Sequence, residues 1–95
     1  MINLQEYAPI VVGDDIARAI YEQIKLDLLT NKIVEVDISA IKLMVTKCSK
    51  MIFGQLYQDL GKEDFFERIH IHGASENIKA VIRAGIQLTI EENTK

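Results

Sequence analysis

The apolar residues of this chain change period twice, and that switching constrains its fold more than any other feature. Ile16, Ala17, Ile20, Ile24 and Leu28 are separated by Arg18, Glu22, Gln23, Lys25 and Asp27. The spacing is one stripe of an amphipathic helix, ending near Thr30 and Asn31. Asp14 is the expected cap, and Asp15 adds negative charge where the helix dipole favours it. The segment Ile33-Val34-Glu35-Val36-Asp37-Ile38 is instead β-branched and alternating, which predicts a strand. The helical period returns at Cys48, Ile52, Leu56 and Leu60, flanked by Met51, Phe53 and Tyr57. It predicts a second helix from Thr46 to Leu60, stopped at Gly61. So wide an apolar surface implies contacts on more than one side. Gly54 lies inside this helix at a cost of about 1 kcal/mol relative to Ala, so its expected use is close approach to another backbone.

The flanking segments continue the alternation. Ile2–Tyr7 and Ile10–Val12 read as extended, with Pro9 marking an edge or turn between them. Glu63–Glu67 suggests a short helical turn with Phe65 or Phe66 plugging the core, and Arg68–His72 a strand. Ser75 is placed to cap a third helix through Ala84, with Ile78, Val81 and Ile82 inward and Gly85 ending it. Ile86–Ile90 reads as a weak last strand and 91–95 as a frayed tail. The expected architecture is one α/β domain over 1–95, in the order β-β-α-β-α-β-α-(β). A mixed sheet of four to five strands packs against the helices, and the two short first strands suggest an antiparallel hairpin at one edge.

Composition removes several function classes. The chain has 95 residues, 11 Lys and Arg against 14 Asp and Glu, and a formal charge of -3, so no broad phosphate-binding surface for nucleic acid is expected. One Cys excludes an internal disulfide framework and fits a reducing cytoplasm. No apolar run approaches the roughly 20 residues that span a bilayer, and MINLQEYAPIVVGDD lacks the pattern of a signal peptide. The expectation is a soluble cytoplasmic domain. GxGxxG, GxxxxGK[ST] and GxSxG are all missing.

Three constellations are candidates for chemistry. His70 and His72 fall on one face of a strand, which suits a metal site or proton shuttle; the plainer reading is a polar sheet face, with Ile69 and Ile71 on the buried one. Cys48 is either a nucleophile near a helix N-terminus or a small hydrophobe on the core stripe. Lys42, Lys47 and Lys50 cluster around the start of the second helix, as a solvated face or as a site for an anion or acidic partner. Thr46 stands where an N-cap is expected, and it is also a candidate phosphoacceptor.

The stretch Ile33–Gly61, IVEVDISAIKLMVTKCSKMIFGQLYQDLG, resembles the central motif of STAS domains. It is closer still to the STAS-like family of small bacterial proteins first catalogued as a domain of unknown function. Asp37-Ile38-Ser39 matches the Asp-hydrophobic-Ser pattern that ends the strand in that family. Ala40-Ile41-Lys42-Leu43-Met44 matches the loop of alternating apolar residues, and Thr46 falls at the position of the phosphorylatable Ser. Val45-Thr46-Lys47-Cys48 stands where phosphorylated members carry Asp-Ser-Ser-Gly.

The resemblance implies a non-enzymatic regulatory module without a cofactor. It would bind a kinase-like ATPase or a regulator of sigma factors through the 39–49 loop and the second helix, with phosphorylation releasing the partner. The residues it assigns to partner binding are Ser39, Ile41, Leu43, Met44, Val45, Lys47 and Lys50, with Thr46 as the phosphoacceptor; the plainer reading of Ile41, Leu43, Met44 and Val45 is a loop packed onto the core. The rivals are a metal-binding protein or small enzyme using His70 and His72, and a structural homodimer built on the second helix around Phe53 and Tyr57.

Overall fold

In the computed structural model, which describes residues 1–93, the β-branched segment is the middle strand of the larger of two sheets. That sheet consists of β1 (Ile2–Asn3), β3 (Val34–Asp37) and β5 (Ile69–His72) in the order β1-β3-β5. The smaller sheet pairs β2 (Ile10–Val11) with β4 (Leu43–Met44). All pairings are parallel. In the β3–β5 register, Val34 opposes Ile69 and Val36 opposes Ile71, which sets these side chains toward the helices. Glu35, Asp37, His70 and His72 take the opposite face.

Among the described residues the strands pair only in parallel, so the expected mixed sheet and its antiparallel edge hairpin are replaced by two small parallel sheets. β1 pairs with β3, and the chain then leaves the main sheet through a 3-10 turn, Leu4–Tyr7, anchored by fully buried Leu4. Asn3 Oδ1 accepts from the Gln5 amide at 2.8 Å and fixes that turn. Pro9 has no N–H, but its carbonyl accepts from the amides of Lys42 (2.8 Å) and Leu43 (3.2 Å). It therefore opens the second sheet rather than bending the first.

The first helix, α1 (Asp14–Leu28), buries Ala17, Ile20 and Ile24 as the periodicity predicts. Its N-cap is Gly13; Asp14 lies in the first turn instead. The second helix, α2, spans the predicted residues in three continuous segments: α-helical Thr46–Ser49, π-helical Lys50–Gly54 and α-helical Gln55–Leu60. The wide π turn buries Ile52, Phe53 and Gly54 in succession. This explains the broad apolar surface, since α2 packs between α1 on one flank and the last helix on the other. Phe53 is fully buried, and the Tyr57 ring meets Phe65 at a tilt and Phe66 edge-on. Of the two residues that suggested a homodimer, Phe53 is thus inside the fold and Tyr57 is half-buried.

Gly61, at a φ of 85°, ends α2 and leads into α3 (Lys62–Arg68), from which Phe65 plugs the core. Arg68 closes the α1–β3 loop, donating to the carbonyls of Leu28 (3.0 Å), Asn31 (3.3 Å) and Lys32 (2.9 Å). The last helix, α4 (Glu76–Asn93), begins where Ser75 Oγ accepts from the Ile78 amide at 3.2 Å, as a cap should. It does not stop at Gly85, and Ile86–Ile90 is helical rather than a strand. Residues 91–93 of the expected tail belong to the helix; Thr94 and Lys95 lie outside the described residues.

The reason is packing. Ile78, Ile82, Gly85 and Thr89 form one buried stripe that continues past the glycine. A Cβ on Gly85 would lie 2.5 Å from Ser49 Oγ and 2.7 Å from the Lys50 nitrogen. A Cβ on Gly54 would lie 2.9 Å from the Gly85 carbonyl oxygen and 2.2 Å from Thr89 Oγ1. The close backbone approach expected of Gly54 is therefore present, and Gly85 is its counterpart. Ser49 Oγ donates to the Val81 carbonyl at 2.8 Å across the same interface.

A polar cluster ties α1 to the far end of α2. The Tyr21 hydroxyl donates to Asp59 Oδ2, Lys25 Nζ lies 3.2 Å from that oxygen, and Gln55 Nε2 donates to Oδ1 at 3.0 Å. Burial, together with the bond to Asp59, pushes the Tyr21 hydroxyl up to about 12. Burial also acts to raise the Asp59 carboxyl, but the bonds from Tyr21, Gln55 and Lys25 outweigh it and hold it below the usual value.

Two outcomes are expected. Ala normally favours a helix over Gly by about 1 kcal/mol. Gly85→Ala should nevertheless destabilise the protein by about 1–3 kcal/mol, read from urea unfolding, because the new methyl meets backbone. Tyr21→Phe should cost about 1 kcal/mol near neutral pH. A lowered Asp59 pKa contributes stability above its unfolded value, and that contribution is lost as pH falls through the folded value. The gap between wild type and Tyr21→Phe should therefore narrow in acid. The raised Tyr21 contribution is complete below the ordinary tyrosine pKa of 10.0 and disappears as pH climbs through about 12.

Candidate functional site

The segment between β3 and α2 starts with a turn that its own side chains build. Asp37 Oδ1 accepts from the Ser39 amide at 2.9 Å and from its hydroxyl at 2.6 Å. These two bonds hold the Asp37 carboxyl below its ordinary value. Gly73, at a φ of 78°, lets the β5–α4 turn press against Ser39: a Cβ there would lie 2.6 Å from the Ser39 Cβ. The Asp-hydrophobic-Ser pattern thus serves to turn the chain out of the main sheet, with Ile38 buried beneath it.

Beyond the turn the chain alternates between core and solvent. The Ile41 amide donates to the Ile38 carbonyl at 3.0 Å and drops its side chain into the core. Met44 opposes Val11 in the small parallel sheet, and both point inward. Ile41 and Met44, at 2% and 3% exposure, are therefore core residues and must be withdrawn from the expected partner-binding set. Leu43 opposes Ile10 on the other face, and Val45 and Val12 continue that face two positions on. Exposures of 51% for Leu43, 46% for Ile10, 52% for Val12 and 36% for Val45 make this a contiguous apolar patch. The sequence reading missed Ile10 and Val12. The signal was present in the run Ile10-Val11-Val12, but only its pairing with β4 brings it beside residue 43.

Thr46 opens α2 and is exposed, but it is not the cap: Val45 holds that position in extended geometry, and no side chain bonds the first turn. Ser39 and Lys47 are also exposed, and Lys50 is half-buried. The lysine cluster is largely answered by acids from other helices. Lys47 Nζ sits 3.2 Å from Asp14 Oδ2, and Lys50 pairs with Glu92. Lys42 is held through its backbone by Pro9. A ready-made anion site is not what these residues form.

The other chemical candidates resolve as packing and surface. Cys48 is fully buried with its thiol toward the Gly13 carbonyl at 3.6 Å, and burial pushes its pKa up, opposite to what a thiolate nucleophile needs. His70 Nε2 is 3.0 Å from the Glu67 carbonyl, and His72 Nε2 is 3.0 Å from Glu35 Oε1. Among the described residues no group of three or more His, Cys, Asp or Glu converges to hold a metal ion. No described helix is long and apolar enough to cross a membrane.

A family model described as a STAS-like domain of unknown function (DUF4325) matches residues 17–79. The match runs from the first turn of α1 into α4 and takes in the whole segment from Asp37 to Thr46. No curated protein and no solved structure matches the chain. Because the family model covers well over half of the residues, this chain belongs to the STAS-like domain family.

Proposed function

We propose that this protein is a non-enzymatic regulatory module that docks a protein partner on the outer face of the small β2–β4 sheet. The observation that carries this reading is the patch of Ile10, Val12, Leu43 and Val45, four apolar side chains exposed together on the outer face of the small sheet. Isolated exposed apolar residues are ordinary; four on one rigid sheet face are a feature of interaction surfaces. Burying each under a partner would contribute roughly 1–2 kcal/mol. The partner class suggested by the resemblance to STAS domains is a kinase-like ATPase or a regulator of sigma factors.

Thr46 borders the patch and is exposed. In this reading it is the switch. A phosphate placed there would set a hydrated dianion beside Val45 and Leu43, and covering it with an apolar partner would require its desolvation. Lys47 is already engaged by Asp14. Phosphorylation would accordingly release the partner rather than recruit one.

Affinity capture from native lysate, with proteins identified by mass spectrometry, tests the surface. Wild type should retain an ATP-binding regulator, and Leu43→Asp should lose it by at least tenfold, the equivalent of about 1.4 kcal/mol. Leu43 is the residue to change because Met44 sits in the core and its substitution would unfold the domain. A captured set that survives both Leu43→Asp and Val45→Asp rules this face out. Peptide mass spectrometry tests the switch. A phosphorylated Thr46 peptide should accumulate when the cognate kinase is active, and Thr46→Glu should weaken capture while Thr46→Ala preserves it. Unmodified Thr46 under those conditions would reduce it to the first residue of a helix.

A further inference from the structure

We propose a second interaction surface: the free edge of β5 and the hollow beside it take an extended acidic peptide segment of another protein, added as a further strand to the main sheet. The first ground is the unpaired backbone. β5 closes the order β1-β3-β5 and, among the described residues, has a neighbouring strand on one side only. The Ile38 amide donates to the His72 carbonyl at 2.9 Å, which fixes the phase of the parallel ladder. Backbone groups of His70 and His72 then point to β3, and the N–H and C=O of Ile71 point to the open edge. Sheets commonly guard such edges with proline, inward charge or very short strands. β1, at the other end, is two residues long, whereas β5 runs four residues as Ile-His-Ile-His with none of these guards.

The second ground is the space alongside. Two adjoining hollows of about 380 and 430 Å³ lie between β5, α3 and α4, sharing Ile71, Ile82 and Arg83. Phe66, 58% exposed, and Ile86 complete an apolar floor. A strand laid along β5 would direct alternate side chains into this space, the arrangement by which strand addition gains side-chain specificity.

The third ground is charge. Arg83 lines both hollows, is exposed, and makes no ion pair among the described residues. An unengaged guanidinium in a chain of net charge -3 is a local feature that suits a carboxylate, which it can grip with two parallel bonds. A second copy of this chain fits less well, because pairing two β5 edges about a twofold axis would bring each Arg83 toward its own counterpart. This edge belongs to a different sheet from the Leu43 patch, so the two surfaces stand or fall separately.

The test is selection of binders from a random short-peptide display library on the wild-type protein, followed by synthesis of the enriched peptide. Enriched sequences should carry an apolar residue and an Asp or Glu two positions apart, so that both side chains face the hollow that Arg83 lines. The synthetic peptide should bind Arg83→Glu at least tenfold more weakly than wild type, and the exposed position of Arg83 leaves the fold of that variant intact. Hydrogen exchange of the Ile71 amide should be fast in the free protein and slow in the complex. The proposal is overturned by a library that yields no enrichment, by peptides that bind Arg83→Glu equally well, or by an Ile71 amide whose exchange the peptide leaves unchanged. It is also overturned if that amide is already protected in the free protein and light scattering gives a dimer mass, since a second copy would then own the edge.

Discussion

The backbone of α2 touches the backbone of α4, and the rest of the molecule is arranged around that contact. Gly54 and Gly85 face each other across it, with Ser49 and Thr89 filling the remaining space. Any larger side chain at either glycine would push the helices apart. The π turn at Lys50–Gly54 belongs to the same arrangement. By widening one turn of α2 it buries Ile52, Phe53 and Gly54 consecutively, so one helix meets α1 and α4 at once. π turns are rare and costly in isolation, and this one is held by packing on both flanks.

From that contact follows the position of the segment before α2. With α2 wedged between two helices, its first residue is brought to the end of the small parallel sheet, and the chain from Ser39 to Val45 must alternate between core and surface to reach it. Ile41 and Met44 anchor the segment; Leu43 and Val45 are left outside with Ile10 and Val12. An exposed apolar patch set on a rigid two-strand frame has little conformational freedom left to lose on docking, which makes it a more economical surface than a mobile loop of the same composition.

Much of this was legible in the residues. The stripe Ile16–Leu28, the alternation of Val34–Asp37 and the return of the helical period after Thr46 each place an element correctly, because burial against one face is a local pattern. The misplacements share one cause. Ile86–Ile90 carries β-branched residues and follows a glycine, so by itself it resembles a strand; its stripe with Ile78 and Ile82 decides for helix only once α2 supplies the other side of the contact. Likewise Ile2–Tyr7 and Ile10–Val12 are extended in character, but whether they pair with each other or with distant segments is a question of topology. Parallel pairing with β3 and β4 joins residues more than thirty positions apart, beyond the reach of local pattern.

What the sequence determined by itself was α1, the central strand, the span of α2, the buried stripe carrying Cys48, and the Asp37–Thr46 motif that marks the family. Hydrophobic period and turn chemistry act over a few residues and are written directly in the chain. What tertiary structure alone decided was which apolar residues of that motif stay outside, which basic residues find acids, and which strand edge is left open. Each of these depends on what a distant segment contributes: Val11 turned Met44 inward, Asp14 and Glu92 engaged Lys47 and Lys50, and the pairing of β3 with both β1 and β5 set β5 at the end of its sheet. Contacts of that kind are fixed by close packing in three dimensions, where each group has room for one partner at a time.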